Sequence, residues 1–236
     1  MDYYDKLIHR ALEALDGACE TAIDPGEVLS WKQADGNPLV LESESALELG
    51  RYPLPGVEFT MMSGSGLVDR DLIRIFGPDI TDKKKFDGAF GKIVLLGVRE
   101  MEEGDGLYDQ IKEIEHLKFK LYLDGYMNRA SVEKHRENIR ISRDAVKKGI
   151  SFKRVGKSMI EHYKTCPNVE HVQVIFITEP LEAFSTLTGI AREGKKITDA
   201  MCTILDDLNF DCKTCKIKNI CDEVGGLMDL HKKQKK

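Results

Sequence analysis

Apolar residues recur at helical spacing in some stretches of the chain and at strand spacing in others. Residues 24–38 combine prolines and glycines, which indicates a connector. From Val57 onward the runs VEFTMM, DLIRIF and KIVLLGV are short, rich in branched or aromatic residues and separated by glycine-containing turns, which predicts sheet strands. An amphipathic helix over residues 3–16 is predicted by apolar positions three or four apart, namely Leu7, Ile8, Ala11, Leu12 and Leu15.

The second half of the chain continues with interleaved helix and strand patterns. Helical spacing over residues 107–127 predicts a long helix that ends near Gly125. NIRIS predicts a strand, SFKRVGKSMIEHYKTC a helix that ends before Pro167, and HVQVIFITE a buried strand. Residues 180–206 are predicted to form one long helix or two shorter ones.

Helices and strands interleave in this order without strict alternation, which favours an α+β fold over a doubly wound parallel one. We therefore predict a mixed sheet with packed helices and a C-terminal cysteine-rich metal-binding segment. Three parts are expected: an N-terminal helix and connector (1–44), an α+β domain (45–201), and the cysteine-rich segment with a basic tail (202–236).

Composition narrows the class of protein. The 236 residues are 42% hydrophobic and 32% charged with a net charge of −5, which is typical of a globular chain that buries its own core. Basic residues are spread along predicted helical faces, so nucleic acid is not an expected partner. No apolar run approaches the roughly 18 residues of a membrane span, and the N-terminus lacks the order of a signal peptide. We expect a cytoplasmic protein that does not bind membranes.

The six cysteines are unevenly distributed. A cytoplasmic location favours reduced thiols over disulfides. Cys19 and Cys166 stand alone and are expected to be small core residues. The other four are close together in sequence: Cys202, Cys212, Cys215 and Cys221.

The C-terminal cysteines have metal-ligand spacing. Cys212 and Cys215 are separated by two residues, so a tight turn brings both sulfurs to one metal, and Cys221 is within reach. A fourth ligand could come from Cys202 upstream or His231 downstream. Thiolates in a reducing compartment select zinc or an iron–sulfur cluster. The absence of a second C-x2-C unit favours iron and sulfide, and zinc remains the alternative. The other histidines stand singly and are expected to be structural.

The order of several segments resembles the beta subunit of the carbon monoxide dehydrogenase/acetyl-CoA synthase complex. These segments are ALELGRYPLPGVEFTMM, LIRIFGPDI, GISFKRVGKSMIEHY, VEHVQVIFITE and FDCKTC, and the likeness spans roughly residues 45–231. The resemblance implies that Cys212, Cys215 and Cys221 match cysteines that hold a [4Fe-4S] cluster in that family. The family's interval between third and fourth ligand falls on His231 in this chain.

The chain also departs from the family pattern. It contains no Cys-Gly-Cys motif, which in the family binds nickel, so the resemblance implies a shared scaffold more than a shared reaction. Cys202 remains the alternative fourth ligand. We assign no catalytic residue.

The leading functional prediction is an iron–sulfur protein in electron transfer, or an accessory subunit for a redox, one-carbon or corrinoid enzyme of an anaerobe. Such a role requires a protein partner. Two alternatives stay open. One is a zinc-stabilised structural or protein-interaction module, and the other is an acyl-transfer enzyme that obtains nickel ligands from a partner chain.

Overall fold

A computed structural model describes residues 3–101, 105–130 and 133–206 of the chain. Its helices are α1 (Asp5–Leu15), α2 (Asp105–His116), α3 (Arg143–Lys147), α4 (Phe152–Tyr163) and α5 (Ala183–Asp206). Its strands are β1 (Glu20–Ile23), β2 (Ser45–Leu49), β3 (Gly56–Ser63), β4 (Leu72–Phe76), β5 (Phe90–Val98), β6 (Tyr126–Ala130), β7 (Glu137–Ser142) and β8 (Val169–Ile177).

The larger sheet has five strands in the order β1-β4-β8-β5-β3. Strands β3 and β5 pair in parallel, as do β4 and β8, whereas β5 pairs antiparallel with β8 and β1 antiparallel with β4. Every residue of β5 is buried because helices or the second sheet cover both of its faces, and continuous apolar runs of this kind are typical of central strands. The predicted α+β fold with a mixed sheet is therefore confirmed.

A second, antiparallel sheet has the order β2-β7-β6 and packs against β3 and β5 through β7. Along β7 the residues Ile139 and Ile141 are fully buried while their neighbours are partly exposed, the alternation of a sheet with one covered face. The strand predicted from NIRIS is confirmed as β7. Its two partner strands were not predicted.

Helices cover the two faces of the larger sheet. An added Cβ at Gly156 of α4 would lie 3.1 Å from Ile73 Cγ1, and one at Gly194 of α5 would lie 2.6 Å from Met61 Cε. The register β4-β8-β5-β3 places Ile73 on the same face as Thr60, so the next residue, Met61, points to the opposite face. Helix α4 thus packs on one face and α5, together with α1, on the other.

The predicted helix over residues 107–127 is wrong in its second half. Helix α2 ends at His116, a 3-10 turn follows at Leu117–Phe119, and β6 begins at Tyr126. At Gly125 the backbone has φ of +68°, and an added Cβ would lie 2.5 Å from Ser142 Oγ, so the chain turns tightly there to enter the sheet. Apolar residues after the turn therefore fill the second sheet and do not extend the helix.

Other predictions are confirmed with small shifts at the ends. Helices α1 and α4 and strands β3, β4, β5 and β8 occur where predicted, and residues 183–206 form one helix. Cys19 is an exception, because it is exposed at the start of the edge strand β1 and not in the core. Cys166 is half-buried.

One apolar cluster joins the helices and both sheets, and its described members run from Tyr4 to Ala200. It holds α1 against α5 and β3. The domain boundaries expected after residues 44 and 201 stay predictions. No helix in the described ranges is long and apolar enough to cross a membrane.

Candidate functional site

The predicted metal ligands fall at the end of the chain. Cys212, Cys215, Cys221 and His231 lie outside the described residues, and Cys202 lies in the last two turns of α5. Among the residues that the structure does describe, no group of three or more histidine, cysteine, aspartate or glutamate side chains could hold a metal ion. The metal site therefore stays a prediction.

Helix α5 determines where the backbone of Cys202 lies. Thr198 Oγ1 is 2.8 Å from the hydroxyl of Tyr4, the residue just before α1, and it donates to the carbonyl of Gly194 at 3.2 Å. Cys202 follows Thr198 by four residues, about 6 Å along the helix axis. The start of the cysteine-rich segment is thus held against the rest of the protein by the contact between α1 and α5.

Four charged side chains with little exposure to solvent form two ion pairs on strands β3 and β5. Glu58 of β3 and Lys92 of β5 are direct neighbours in the sheet register. Lys118 Nζ donates to both carboxylate oxygens of Glu58, at 2.9 and 3.0 Å, and Lys92 Nζ lies 2.5 Å from the Glu137 carboxylate of β7. Glu58 and Lys92 are 7% and 4% exposed, so each charge depends on its partner in place of water.

The ionisation of this group reflects burial and pairing. Burial lowers the pKa of Lys118, but the neighbouring Glu58 outweighs this effect, so the pKa lies above its ordinary value. Burial raises the pKa of Glu137, which Lys92 partly opposes and Glu58 reinforces. Burial also raises the pKa of Tyr126, whose hydroxyl has no hydrogen-bond partner among the described residues.

A polar cavity of about 150 Å³ lies beside the outer edge of β3. Strand β3, α2, α5, the 3-10 turn after α2, Tyr4 just before α1 and His135 just before β7 contribute to its wall. Its polar lining includes Tyr4, Glu58, Thr60, Lys112, Glu115, Lys118, His135, Lys195 and Thr198. Burial lowers the pKa of His135, and Lys195, Arg192 and Lys118 lower it further against the opposing effect of Glu58.

A larger, more open cavity of about 580 Å³ lies where the parallel strands β4 and β8 end. Its wall includes Cys19, Asp79, Lys153 and Glu179. Asp79 Oδ1 accepts hydrogen bonds from the backbone N–H groups of Ile80 and Phe152, both at 2.6 Å. Burial raises the pKa of Asp79, and these two N–H groups oppose the effect. The carboxylate therefore caps α4 and already occupies the position where an anion would bind.

Sequence reasoning missed the buried charges. A signal was present, because VEFTMM and GKIVLLGV each carry one charged residue, Glu58 and Lys92, inside an otherwise apolar strand. Opposite charges in two buried strands indicate an ion pair or network. The pattern did not identify Lys118 and Glu137, because each comes from a distant part of the chain.

A comparison with protein families gives one match. The profile of CdhC, described as the CO dehydrogenase/acetyl-CoA synthase complex beta subunit, matches residues 38–183. The chain belongs to this family. The suspected resemblance is thereby confirmed, and the chain is an acetyl-CoA-synthase-like protein. No curated protein matches the chain.

The family match covers the acetyl-CoA-synthase-like scaffold from β2 to β8 and ends at Ala183, the first residue of α5. The charged residues of the two ion pairs and most of the wall of the smaller cavity come from matched positions. The predicted metal ligands follow the match.

Proposed function

We propose that the chain is an acetyl-CoA-synthase-like iron–sulfur protein that acts in electron transfer or as an accessory subunit in anaerobic one-carbon or corrinoid metabolism. Cys212, Cys215 and Cys221 bind a [4Fe-4S] cluster, and His231 or Cys202 supplies the fourth ligand. The observation that supports the proposal best is the family match, followed after one helix by the C-x2-C-x5-C motif.

The chemistry of the ligand set fits such a cluster. Three thiolates and an imidazole are accepted iron ligands, and replacing one thiolate by a neutral imidazole raises the reduction potential. Lys213, Lys216 and Lys218 lie between the cysteines in sequence and offset their negative charge. When bound, the cluster supplies one-electron transfer. We include no acyl transfer in the proposal, because the 236 residues contain no Cys-Gly-Cys motif for nickel.

A protein partner follows from this role. The matched family is named for a subunit of a multi-protein complex, which supports assembly with another chain. We propose a redox, one-carbon or corrinoid enzyme subunit as that chain, in the cytoplasm.

The decisive experiment is anaerobic purification followed by iron, sulfide and zinc analysis and a visible absorption spectrum. We expect a brown protein with about four irons and four sulfides per chain, as the proposed cluster requires. A colourless protein with one zinc per chain would contradict the proposal and support a zinc-stabilised structural module.

Alanine variants identify the ligands. Cys212→Ala should lose most of the iron, and comparison of His231→Ala with Cys202→Ala identifies the fourth ligand by which variant loses more. Cys19→Ala is the matched control, because this cysteine is exposed and distant in sequence from the motif, so it should retain full iron content. Full iron content in Cys212→Ala would rule out the proposed ligand set.

A further inference from the structure

The smaller cavity lies where strand β3 has an open backbone edge. The backbone N–H of Glu58 points away from β5 and donates to the carbonyl of His135 at 2.7 Å. Because backbone groups alternate along a strand, the N–H and carbonyl of Thr60 face the same outer edge. No described residue forms a backbone hydrogen bond with them there. Among the described residues the Thr60 N–H has no backbone acceptor, and because Thr60 lines the cavity, a ligand there can accept from it.

The lysine side chains in the cavity wall also have more N–H donors than they give to neighbouring carboxylates. An ammonium group carries three N–H donors. Lys118 directs two of them to Glu58, Lys112 directs one to Glu115 at 2.9 Å, and Lys195 directs one to Asp199 at 2.7 Å. Each ammonium therefore has at least one N–H beyond those given to these carboxylates.

The charges around the cavity disfavour the binding of a cation. Burial lowers the pKa of His135, and Lys195, Arg192 and Lys118 lower it further against the opposing effect of Glu58, so positive charge is disfavoured at this histidine. The carboxylates of Glu58 and Glu115 are already paired with lysines. A bound anion would meet the remaining N–H groups of these lysines without displacing an existing ion pair.

The volume limits the size of the ligand. A cavity of about 150 Å³ is large enough for a molecule of about six heavy atoms, since a cavity of that size holds benzene. A whole nucleotide or peptide does not fit inside it. The hydroxyls of Tyr4 and Thr198 bond to each other on the helix side of the cavity and close it there.

We propose that this cavity binds a small monovalent oxyanion, of the size of formate, acetate or bicarbonate, between the Thr60 N–H and the lysines of α2, α5 and the 3-10 turn. The site is formed by the described domain alone and does not depend on the iron–sulfur cluster. It lies one turn of α5 before Cys202, next to the start of the cysteine-rich segment.

The experiment titrates the full-length, ¹⁵N-labelled protein with sodium formate, acetate and bicarbonate at constant ionic strength. Acetamide is the control ligand, because it has nearly the shape of acetate without its charge. We expect saturable shifts of the Thr60 amide with at least one of the three anions and no saturation with acetamide. The anion that binds most tightly identifies the chemical class. Equal binding of acetate and acetamide, or no saturation with any of the anions, would overturn the proposal.

Two lysine variants test the location of the site. Lys195 lines the cavity with its side chain 43% exposed, so Lys195→Gln removes one charged donor and should leave the fold intact. Lys196, the next residue, is exposed and is not part of the wall, so Lys196→Gln is a control with the same charge change. We expect about tenfold weaker binding for Lys195→Gln and less than twofold change for Lys196→Gln.

A third variant tests the site by filling the cavity with a larger side chain. Ala191 is buried in the wall, and Ala191→Leu should remove binding while the chain stays folded, as checked by circular dichroism. If Lys195→Gln and Lys196→Gln weaken binding equally, the effect is general surface charge and the proposed site is wrong.

Discussion

At the scale of single residues, the buried lysine–glutamate pairs are the most demanding feature of this protein. Removing two charges from water costs several kcal/mol per ion, and their attraction offsets this only when the geometry is good and both charges are present. Lys92 and Glu137 meet this condition across the two sheets, with side chains 4% and 15% exposed. Breaking the pair leaves a buried carboxylate beside Glu58, which repels it.

We predict that Lys92→Met lowers the free energy of unfolding by about 3–5 kcal/mol. The double variant Lys92→Met, Glu137→Leu should recover most of this loss because no unpaired charge remains. Urea denaturation at pH 7 measures both. Arg99→Met is the matched control, because its pair with Glu170 is exposed and should contribute less than about 1 kcal/mol. A loss no greater in Lys92→Met than in Arg99→Met would show that the pair does not hold the sheets together.

At the scale of secondary structure, one carboxylate determines how two elements begin. Asp79 Oδ1 accepts from the N–H of Ile80, at the start of a 3-10 turn, and from the N–H of Phe152, at the start of α4. The side chain thus caps two elements that lie far apart in sequence. Ser151 is the local N-cap of α4, with a longer hydrogen bond of 3.4 Å from the N–H of Arg154.

We predict that Asp79→Ala destabilises the fold by about 2 kcal/mol, because two backbone N–H groups lose their acceptor. Asp79→Asn keeps a side-chain oxygen at the same place and should reduce the stability by less. Asp82→Ala is the control in the same turn, since Asp82 is exposed, and should change stability by less than about 0.5 kcal/mol. Equal effects of Asp79→Ala and Asp82→Ala in urea denaturation would contradict the proposed capping role.

The sequence predicted best those helices and strands whose apolar residues all pack on a single surface. Helix α1 places Leu7, Ile8, Ala11 and Leu15 in the core, as its spacing predicted. The end of α2 was missed because it is set by contacts with distant residues: Lys118 turns toward Glu58, and Gly125 packs against Ser142. Local periodicity contains no information on either contact.

At the scale of the whole molecule, the apolar core and the predicted metal site occupy different parts of the chain. Among the described residues, α5 contributes Phe184, Leu187, Ile190, Ala191, Ile197 and Ala200 to the core cluster. The predicted ligands Cys212, Cys215, Cys221 and His231 come later. Because the described core already joins both sheets to α5, we expect it to fold without a bound cluster.

We predict that a chain shortened to residues 1–206 folds cooperatively, with a melting temperature within about 5 °C of the full chain freed of metal. A chain shortened to residues 1–182 lacks α5 and should not unfold cooperatively, because β3 and α1 lose their apolar cover. Circular dichroism during heating compares the two. Loss of cooperativity in the 1–206 chain would show that the cysteine-rich segment contributes to the core.

The two candidate sites differ in whether they could be predicted from the sequence. Ligand spacing in the cysteine-rich segment is local, so C-x2-C-x5-C could be recognised from the sequence alone. The smaller cavity could not, because its wall joins residues from Tyr4 to Thr198. Lys112, Lys118 and Lys195 are ordinary surface-type residues in the sequence, and they gain a shared role only when α2 and α5 meet beside β3.

The sequence by itself determined the α+β class, the places of α1, α4 and the central strands, and the family of the chain, because each of these depends on local apolar spacing or on the order of segments. Tertiary structure decided the second sheet, the end of α2, the buried ion pairs and the cavity. The physical reason is that a buried charge or an open strand edge depends on groups far apart in the chain, and only folding sets the distances between them.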